Sequence, residues 1–305
     1  MKIAILGPGA IGGLLASLFW KNGHQVTCID KKENVGALNA GGLKINSKFF
    51  GNFTATPRFI EKLDFEPDLL FITVKAPFLE EAATVAEISF LKNSIIIPLL
   101  NGLEHLDFLK AKYGEAVVAG TIGCVESFSS KPGYIEHLSD NPPCITLHEK
   151  SKIDVIADLL KKTGISVEVL ENERQVIWQK LLRLSALSAL TAASRKNLGF
   201  VRSNPEWRGA LENFLREAAT IATADGASLK AEEALAQLDK LPFGLRSSLQ
   251  KDLESEKPSE LDALLGVILR KGRIYGISCP TIQSTINLIK KKFFFFFLCL
   301  LLSWQ

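Results

Sequence analysis

Three glycines near the start of the chain stand in the order Gly7-Pro8-Gly9-Ala10-Ile11-Gly12. They follow a short apolar run, Lys2 to Leu6, and open a stretch of helical period, Ala10 to Asn22, that Gly23 stops. Glycines at this spacing build a turn that receives a pyrophosphate. Gly7 permits the tight turn, Gly9 lets backbone approach the phosphates, and Gly12 lets helix and strand pack closely. The N–H groups at the helix start, from Ala10, Ile11 and Gly12, then point at the anion. A second strand, His24 to Asp30, ends on a carboxylate 18 residues beyond Gly12, where it can accept hydrogen bonds from ribose hydroxyls. Lys31 and Lys32 follow, and a cation there favours the 2′-phosphate of NADP. Asp30 points to NAD and the lysines to NADP, although an exposed turn accounts for the lysines equally well. NADP is the favoured reading, with NAD as the alternative.

A reductase acting on a carbonyl needs a group that polarises the oxygen and delivers a proton as hydride arrives at carbon. Lys180 lies inside the mostly apolar segment Val176-Ile177-Trp178-Gln179-Lys180-Leu181-Leu182. Lys180, Leu184, Ser188 and Thr191 share one helical stripe, which would form the wall of a polar cleft. A lysine snorkelling out of a core helix fits the same pattern. A second polar cluster runs from Ser247-Ser248 to Pro258-Ser259-Glu260-Leu261-Asp262. Pro258 or Ser259 would begin a helix there, with Glu260 in its first turn. A carboxylate at that place serves either chemistry or helix capping.

These groups need elements to position them. Strands are expected at Lys2–Leu6, His24–Asp30, Leu69–Val74, Ser94–Pro98 and Ala116–Thr121, with helices over Leu79–Ile88 and Leu103–Tyr113. A hairpin or small antiparallel extension is expected around Pro132–His137 and Cys144–His148, then a helix over Asp154–Thr163 and a strand over Ser166–Leu170. After Glu171 the period is helical throughout. The alternation argues for an α/β fold: an N-terminal Rossmann-type, doubly wound parallel sheet over residues 1–168 and a C-terminal all-helical domain over 169–290.

Composition narrows the remaining possibilities. The 305 residues carry a formal charge of +3, too small and dispersed for a nucleic-acid partner. Five scattered cysteines with no CxxC pair read as reduced thiols of a cytoplasmic protein. The four histidines show no metal-ligand spacing, so no metal is expected. The N-terminus lacks the pattern of a signal peptide. Residues 291–305 form an anomalous apolar tail, in which a lysine run (Lys290 to Lys292) precedes ten unbroken apolar residues, Phe293 to Leu302. Ten residues are about half of what a membrane span needs. The expected origin is read-through or a frameshift in a homopolymer tract, with a weak interfacial anchor as the alternative.

Together these segments resemble the 2-dehydropantoate 2-reductase (ketopantoate reductase) family. The resemblance covers residues 1 to about 290. It rests on the glycine turn, Thr73-Val74-Lys75-Ala76, Leu100-Asn101-Gly102, Pro132-Gly133-Tyr134-Ile135, Trp178-Gln179-Lys180-Leu181, and Ser247-Ser248 followed by Pro258-Ser259-Glu260-Leu261-Asp262. It implies NADPH-dependent reduction of 2-dehydropantoate to (R)-pantoate, in pantothenate biosynthesis, in a cleft between domains. Lys180 then matches the general acid, and Glu260 the acidic residue that binds the substrate's hydroxyl end. Ser248 matches a serine holding the substrate carboxylate, Asn101 an asparagine near nicotinamide ribose and substrate, and Lys75 a lysine of the cofactor cleft. Lys31 stands where members often carry arginine for the 2′-phosphate. Leu184, Ser188 and Leu198 stand where members carry substrate-binding asparagines, which directs attention to substrate identity; of these, Ser188 retains a polar group for the substrate. A reductase of another small 2-keto acid is the alternative, and a non-catalytic dinucleotide-binding regulator a further one. A homodimer is possible.

Overall fold

The computed structural model describes residues 1–302, and of residues 294–302 the helical backbone alone. The apolar character expected to make the tail anomalous therefore lies largely outside the described side chains. The chain divides into two compact units, Met1–Leu100 with Glu104–Val176, and Asn101–Leu103 with Ile177 onward.

The first unit begins β1 (Lys2–Leu6), α1 (Ala10–Lys21), β2 (Gln25–Ile29), α2 (Lys32–Gly41), β3 (Leu43–Ser47), β4 (Phe53–Ala55), β5 (Arg58–Ile60) and β6 (Leu69–Ile72). It continues α3 (Leu79–Ala82), β7 (Ile95–Pro98), α4 (Glu104–Tyr113), β8 (Gly120–Gly123), β9 (Ser127–Lys131), β10 (Tyr134–His137), β11 (Cys144–His148), α5 (Ile153–Lys162) and β12 (Ser166–Leu170). Its central sheet runs β5-β2-β1-β6-β7 with every pairing parallel. The chain winds from β1 to one side and then crosses to β6 on the other, so β1 and β6 flank the switch point of a Rossmann-type fold. Near-continuous apolar runs such as Ile3-Ala4-Ile5-Leu6 are buried on both faces, as such a sheet requires. Helix α1 packs on β1 and β2 and also against the second sheet, β4-β3-β10-β9. A third sheet has the order β12-β11-β8.

Two local expectations change. Leu79–Ile88 is not one helix: α3 is a single turn flanked by short 3-10 turns at Ala76–Phe78, Ala83–Val85 and Ile88–Phe90. The buried Tyr113 hydroxyl lies 2.8 Å from the Ala86 carbonyl and 3.1 Å from that of Ala83, tying this broken segment to α4. The strand expected at Ala116–Thr121 is displaced. Val117 makes only an isolated bridge to Ile96, and the chain then leaves as β8 to pair antiparallel with β11. Of helix α2 and strands β3 to β5, which the patterning did not separate, β5 supplies one edge of the central sheet and β3 and β4 half of the second sheet.

The second unit is helical: α6 (Glu173–Ser194, whose first residues belong to the first unit), α7 (Leu198–Ser203), α8 (Pro205–Ala224), α9 (Ala231–Asp239), α10 (Ser248–Glu254), α11 (Val267–Tyr275) and α12 (Pro280–Leu302). Helix α8 is its centre and packs against α7, α9, α11 and α12. Asn204 caps α8, its side chain accepting from the N–H groups of Glu206 and Trp207. Among the described residues no helix is long and apolar enough to cross a membrane.

Candidate active site

The glycine turn sits at the carboxyl end of β1. Gly7 adopts φ +88, and a Cβ there would lie 2.5 Å from Val74 Cγ1. Only glycine meets both demands without strain. A Cβ at Gly12 would lie 2.2 Å from Thr73 Oγ1 and 2.3 Å from the Gly7 carbonyl, so this residue sets how closely α1 approaches the sheet. Gly9 is different, because a Cβ there meets nothing within 4 Å. Its backbone faces open space, no side chain caps α1 at Gly9, and no acidic residue occupies the first turn. The N–H groups of Ala10, Ile11 and Gly12 thus open the helix with no side-chain cap and no acidic residue of its own first turn at the positive dipole end. These residues fit a pyrophosphate. Gly13, which the spacing did not single out, is also required: a Cβ there would fall 2.1 Å from Ile135 Cδ1 on β10.

Asp30 and Lys75 follow β2 and β6, the two neighbours of β1, at the same edge of the sheet. The Gly7 N–H donates to the Ile29 carbonyl (3.1 Å), tying the glycine turn to the residue before Asp30. Asp30 Oδ1 accepts from the Lys31 backbone N–H (2.7 Å) and Oδ2 from Asn34 Nδ2 (3.3 Å). Lys31 is exposed, with Nζ 5.7 Å from the Phe78 ring centroid. Lys75 is exposed as well.

In the second unit, Lys180 is half-buried on α6. Burial lowers its pKa from 10.5 to about 8; the Glu260 carboxylate opposes the fall and Arg183 adds to it. Desolvation as the first cause sets Lys180 apart from an ammonium that snorkels fully into water. Asn101 Nδ2 donates to Glu260 Oε2 at 2.8 Å. The structure therefore brings Lys180, Glu260 and Asn101 into one constellation, from segments far apart in sequence.

Glu260 is not in the first turn of a helix, as the Pro-Ser-Glu pattern suggested. The helix opens at Leu261, and the Glu260 carbonyl accepts the Leu264 N–H at 3.0 Å. Its first turns are π-helical, Asp262–Gly266, before α11 continues. A Cβ at Gly266 would lie 2.1 Å from Asp262 Oδ1, whose carboxylate takes a two-pronged contact from Arg270 at 2.8 and 2.9 Å. The neighbouring backbone is equally constrained. Gly102 has φ +97, and a Cβ there would be 2.6 Å from the Ala263 carbonyl. Asn101 is therefore docked onto the same π turn that follows Glu260.

The polar stripe of α6 is open only at its Lys180 end. Leu184 is half-buried, whereas Ser188 and Thr191 have no exposed surface. Thr191 Oγ1 bonds Ser247 Oγ at 2.8 Å, and Ser247 caps α10. The Ser188 hydroxyl has no hydrogen-bond partner among the described residues. Ser248, the first residue of α10, is exposed. Leu198 is fully buried.

One buried group was invisible in the spacing. Asp225, at the end of α8, accepts from Trp178 Nε1 (2.8 Å) and pairs with Lys271 Nζ (2.8 Å), and the Tyr275 hydroxyl also reaches it. These bonds tie α6, two residues from Lys180, to α11. Among the described residues no group of His, Cys, Asp and Glu could hold a metal ion.

Comparison with known proteins agrees with this architecture. A family model described as ketopantoate reductase PanE/ApbA matches residues 3–147, and its C-terminal counterpart matches residues 172–293. A 2-dehydropantoate 2-reductase of Pyrococcus abyssi is 27% identical over 300 residues, covering 96% of this chain and 98% of its own. The corresponding enzyme of Archaeoglobus fulgidus is 25% identical, covering 95% and 97%. A PanE/ApbA family ketopantoate reductase from Ralstonia eutropha superposes with a TM-score of 0.86 at 25% identity, covering 95% of this chain and 97% of that one. The fold is shared with D-mandelate dehydrogenase, solved with NADH and anilino(oxo)acetate, at a TM-score of 0.85 and 22% identity over 96% of this chain and 98% of that one. With its glycine turn on a parallel sheet and both family models matched in order, this chain belongs to the ketopantoate reductase family of NAD(P)-dependent oxidoreductases.

Proposed function

We propose that this chain reduces a small 2-keto acid to the 2-hydroxy acid, with 2-dehydropantoate, giving (R)-pantoate, as the first substrate to test. The observation that carries the reading is a lysine whose pKa burial lowers to about 8, facing the Glu260 carboxylate that Asn101 orients. A general acid works best when it is protonated at working pH and yet able to release the proton. An ordinary lysine, near 10.4, gives its proton up too reluctantly.

In this reading residues 1–168 hold the dinucleotide and residues 169–290 the substrate. Gly7, Gly9 and the N–H groups of Ala10, Ile11 and Gly12 would bind the pyrophosphate, with Asp30 and Lys75 at the same sheet edge. When bound, the reduced nicotinamide supplies hydride from C4 to the keto carbon. Lys180 Nζ donates a hydrogen bond to the keto oxygen, draws electron density from the carbon, and yields its proton as that oxygen becomes an alkoxide. Glu260 keeps the lysine charged until that moment and accepts a substrate hydroxyl, and Asn101 holds Glu260 in place. Ser248 is offered to the substrate carboxylate. Ser188, enclosed by protein, is left without a direct contact.

A different 2-keto acid is the second reading, and Leu184 favours it. This half-buried side chain stands one helical turn from Lys180 on the same stripe and offers neither donor nor acceptor. The test is oxidation of NADH and NADPH with 2-dehydropantoate beside a panel of 2-keto acids carrying apolar branches, repeated with Lys180→Ala. Loss of a proton donor is expected to lower kcat by roughly 10²–10⁴-fold. Reduction of no keto acid overturns the reductase reading, and an undiminished kcat in Lys180→Ala overturns the assignment of the acid.

A further inference from the structure

The doublet Lys31-Lys32 favours NADP from sequence, but the side-chain geometry around it points the other way. Asp30 is held at the edge of the glycine turn, since Ile29 is bonded to Gly7 and the Asp30 N–H donates to the Ile60 carbonyl at 3.0 Å. Its carboxylate is fixed by two neutral donors, the Lys31 backbone N–H and the Asn34 amide. Among the described residues no ammonium pairs with it, and it stands at the place that adenosine ribose hydroxyls take in such folds. An ionised carboxylate has about four acceptor positions, and two donors leave room for a pair of hydroxyls. A 2′-phosphate would bring a charge of about −1.5 to −2 to the same spot.

The lysines do not cancel this repulsion. The Lys31 ammonium lies toward the Phe78 ring, and Lys32 is exposed at the first position of α2. Both are solvated ends of flexible side chains, which lose rotamer freedom and are screened by salt when they pair. Asp30 is already ordered.

We propose that this chain is selective for NADH over NADPH, with Asp30 as the residue that excludes the 2′-phosphate. The proposal rests on the dinucleotide site and not on the identity of the keto acid. It is tested by titrating the whole protein with NADH and with NADPH and following energy transfer from tryptophan to the bound nicotinamide. The adenosine half is probed separately by competition with AMP and with adenosine 2′,5′-bisphosphate. NADH is expected to bind at least about tenfold more tightly, a difference near 1.4 kcal/mol. Asp30→Ala is expected to weaken NADH and strengthen NADPH until the ratio inverts, and Asp30→Asn to lose the discrimination while keeping NADH binding within several-fold. Tighter NADPH binding by the wild type overturns the proposal, as does an unchanged ratio in both variants or binding of neither dinucleotide. Tight NADH binding without turnover of any keto acid leaves the selectivity standing and removes the reductase reading instead.

Discussion

Glu260→Gln isolates the charge of the proposed catalytic constellation. Glutamine keeps the length of the side chain and an oxygen for the Asn101 amide, and removes only the negative charge. Lys180 sits at about 8 against an ordinary 10.5, with burial as the main cause and Glu260 opposing it. That net fall corresponds to about 3 kcal/mol of lost preference for the ammonium, at about 1.4 kcal/mol per pKa unit. The Glu260 charge raises Lys180, so its removal lowers the lysine further below about 8. The wild-type kcat/KM reports groups of the free enzyme, and is expected to fall as pH rises through about 8, because the neutral amine has no proton to give. In Glu260→Gln this limb moves to lower pH. At about pH 8, where roughly half of the wild-type molecules keep the proton, the variant keeps it in a smaller share. The assay is kcat/KM between about pH 5 and 10, paired with competitive acylation of Lys180 read by peptide mass spectrometry, which needs no turnover. A limb that stays in place, or moves upward, refutes the electrostatic coupling. A rate lowered equally at every pH with an unmoved limb assigns Glu260 to substrate binding alone.

Lys180→Met is expected to be inactive and more stable, by about 1–2 kcal/mol near neutral pH by urea denaturation, because desolvation of an ammonium is no longer opposing folding. The sign follows from linkage. Between about 8 and 10.5 the unfolded chain holds the Lys180 proton and the folded one does not, so wild-type stability gains with pH in that window and Lys180→Met does not share the gain. Gly9→Ala is expected to leave thermal stability within about 0.5 kcal/mol while weakening NADH about tenfold or more, since a Cβ there meets open space that a phosphate would fill. Gly12→Ala should lose about 1–3 kcal/mol by the same measurement, because the added methyl group meets Thr73 and the Gly7 carbonyl. Asp225→Ala strands Lys271 in a buried site and is expected to lose about 3–5 kcal/mol; a change under about 1 kcal/mol would show that the network is dispensable.

Legibility in the sequence followed the range of the interaction. The β1–turn–α1 unit was legible because the glycine turn and its helix are built by neighbours in the chain. Lys180 stood out because a charge interrupts an apolar helical period, and that irregularity is local too. The broken helix after Leu79 was not legible, since the Tyr113 hydroxyl that meets its Ala83 and Ala86 carbonyls comes from a distant helix, and neither was the π turn, which Gly266 and the Asp262–Arg270 contact accommodate. Asp225 was not legible either, because nothing adjacent to it announces three donors arriving from two other helices.

By itself, the sequence determined that a strand, a glycine turn and a helix would follow one another, and that a lysine would sit in an apolar helix. Short-range sterics and hydrophobic period decide both. Tertiary structure alone decided what those groups can do. It desolvated Lys180 and set it against Glu260, brought Asn101 onto that carboxylate across 159 positions of chain, and enclosed Ser188. It also fixed the Asp30 carboxylate beside the glycine turn through two neutral donors, where the order Asp-Lys-Lys had favoured NADP with NAD as the alternative. Burial, charge and hydrogen-bond direction are properties of surroundings, and those surroundings come from residues that the sequence keeps far apart.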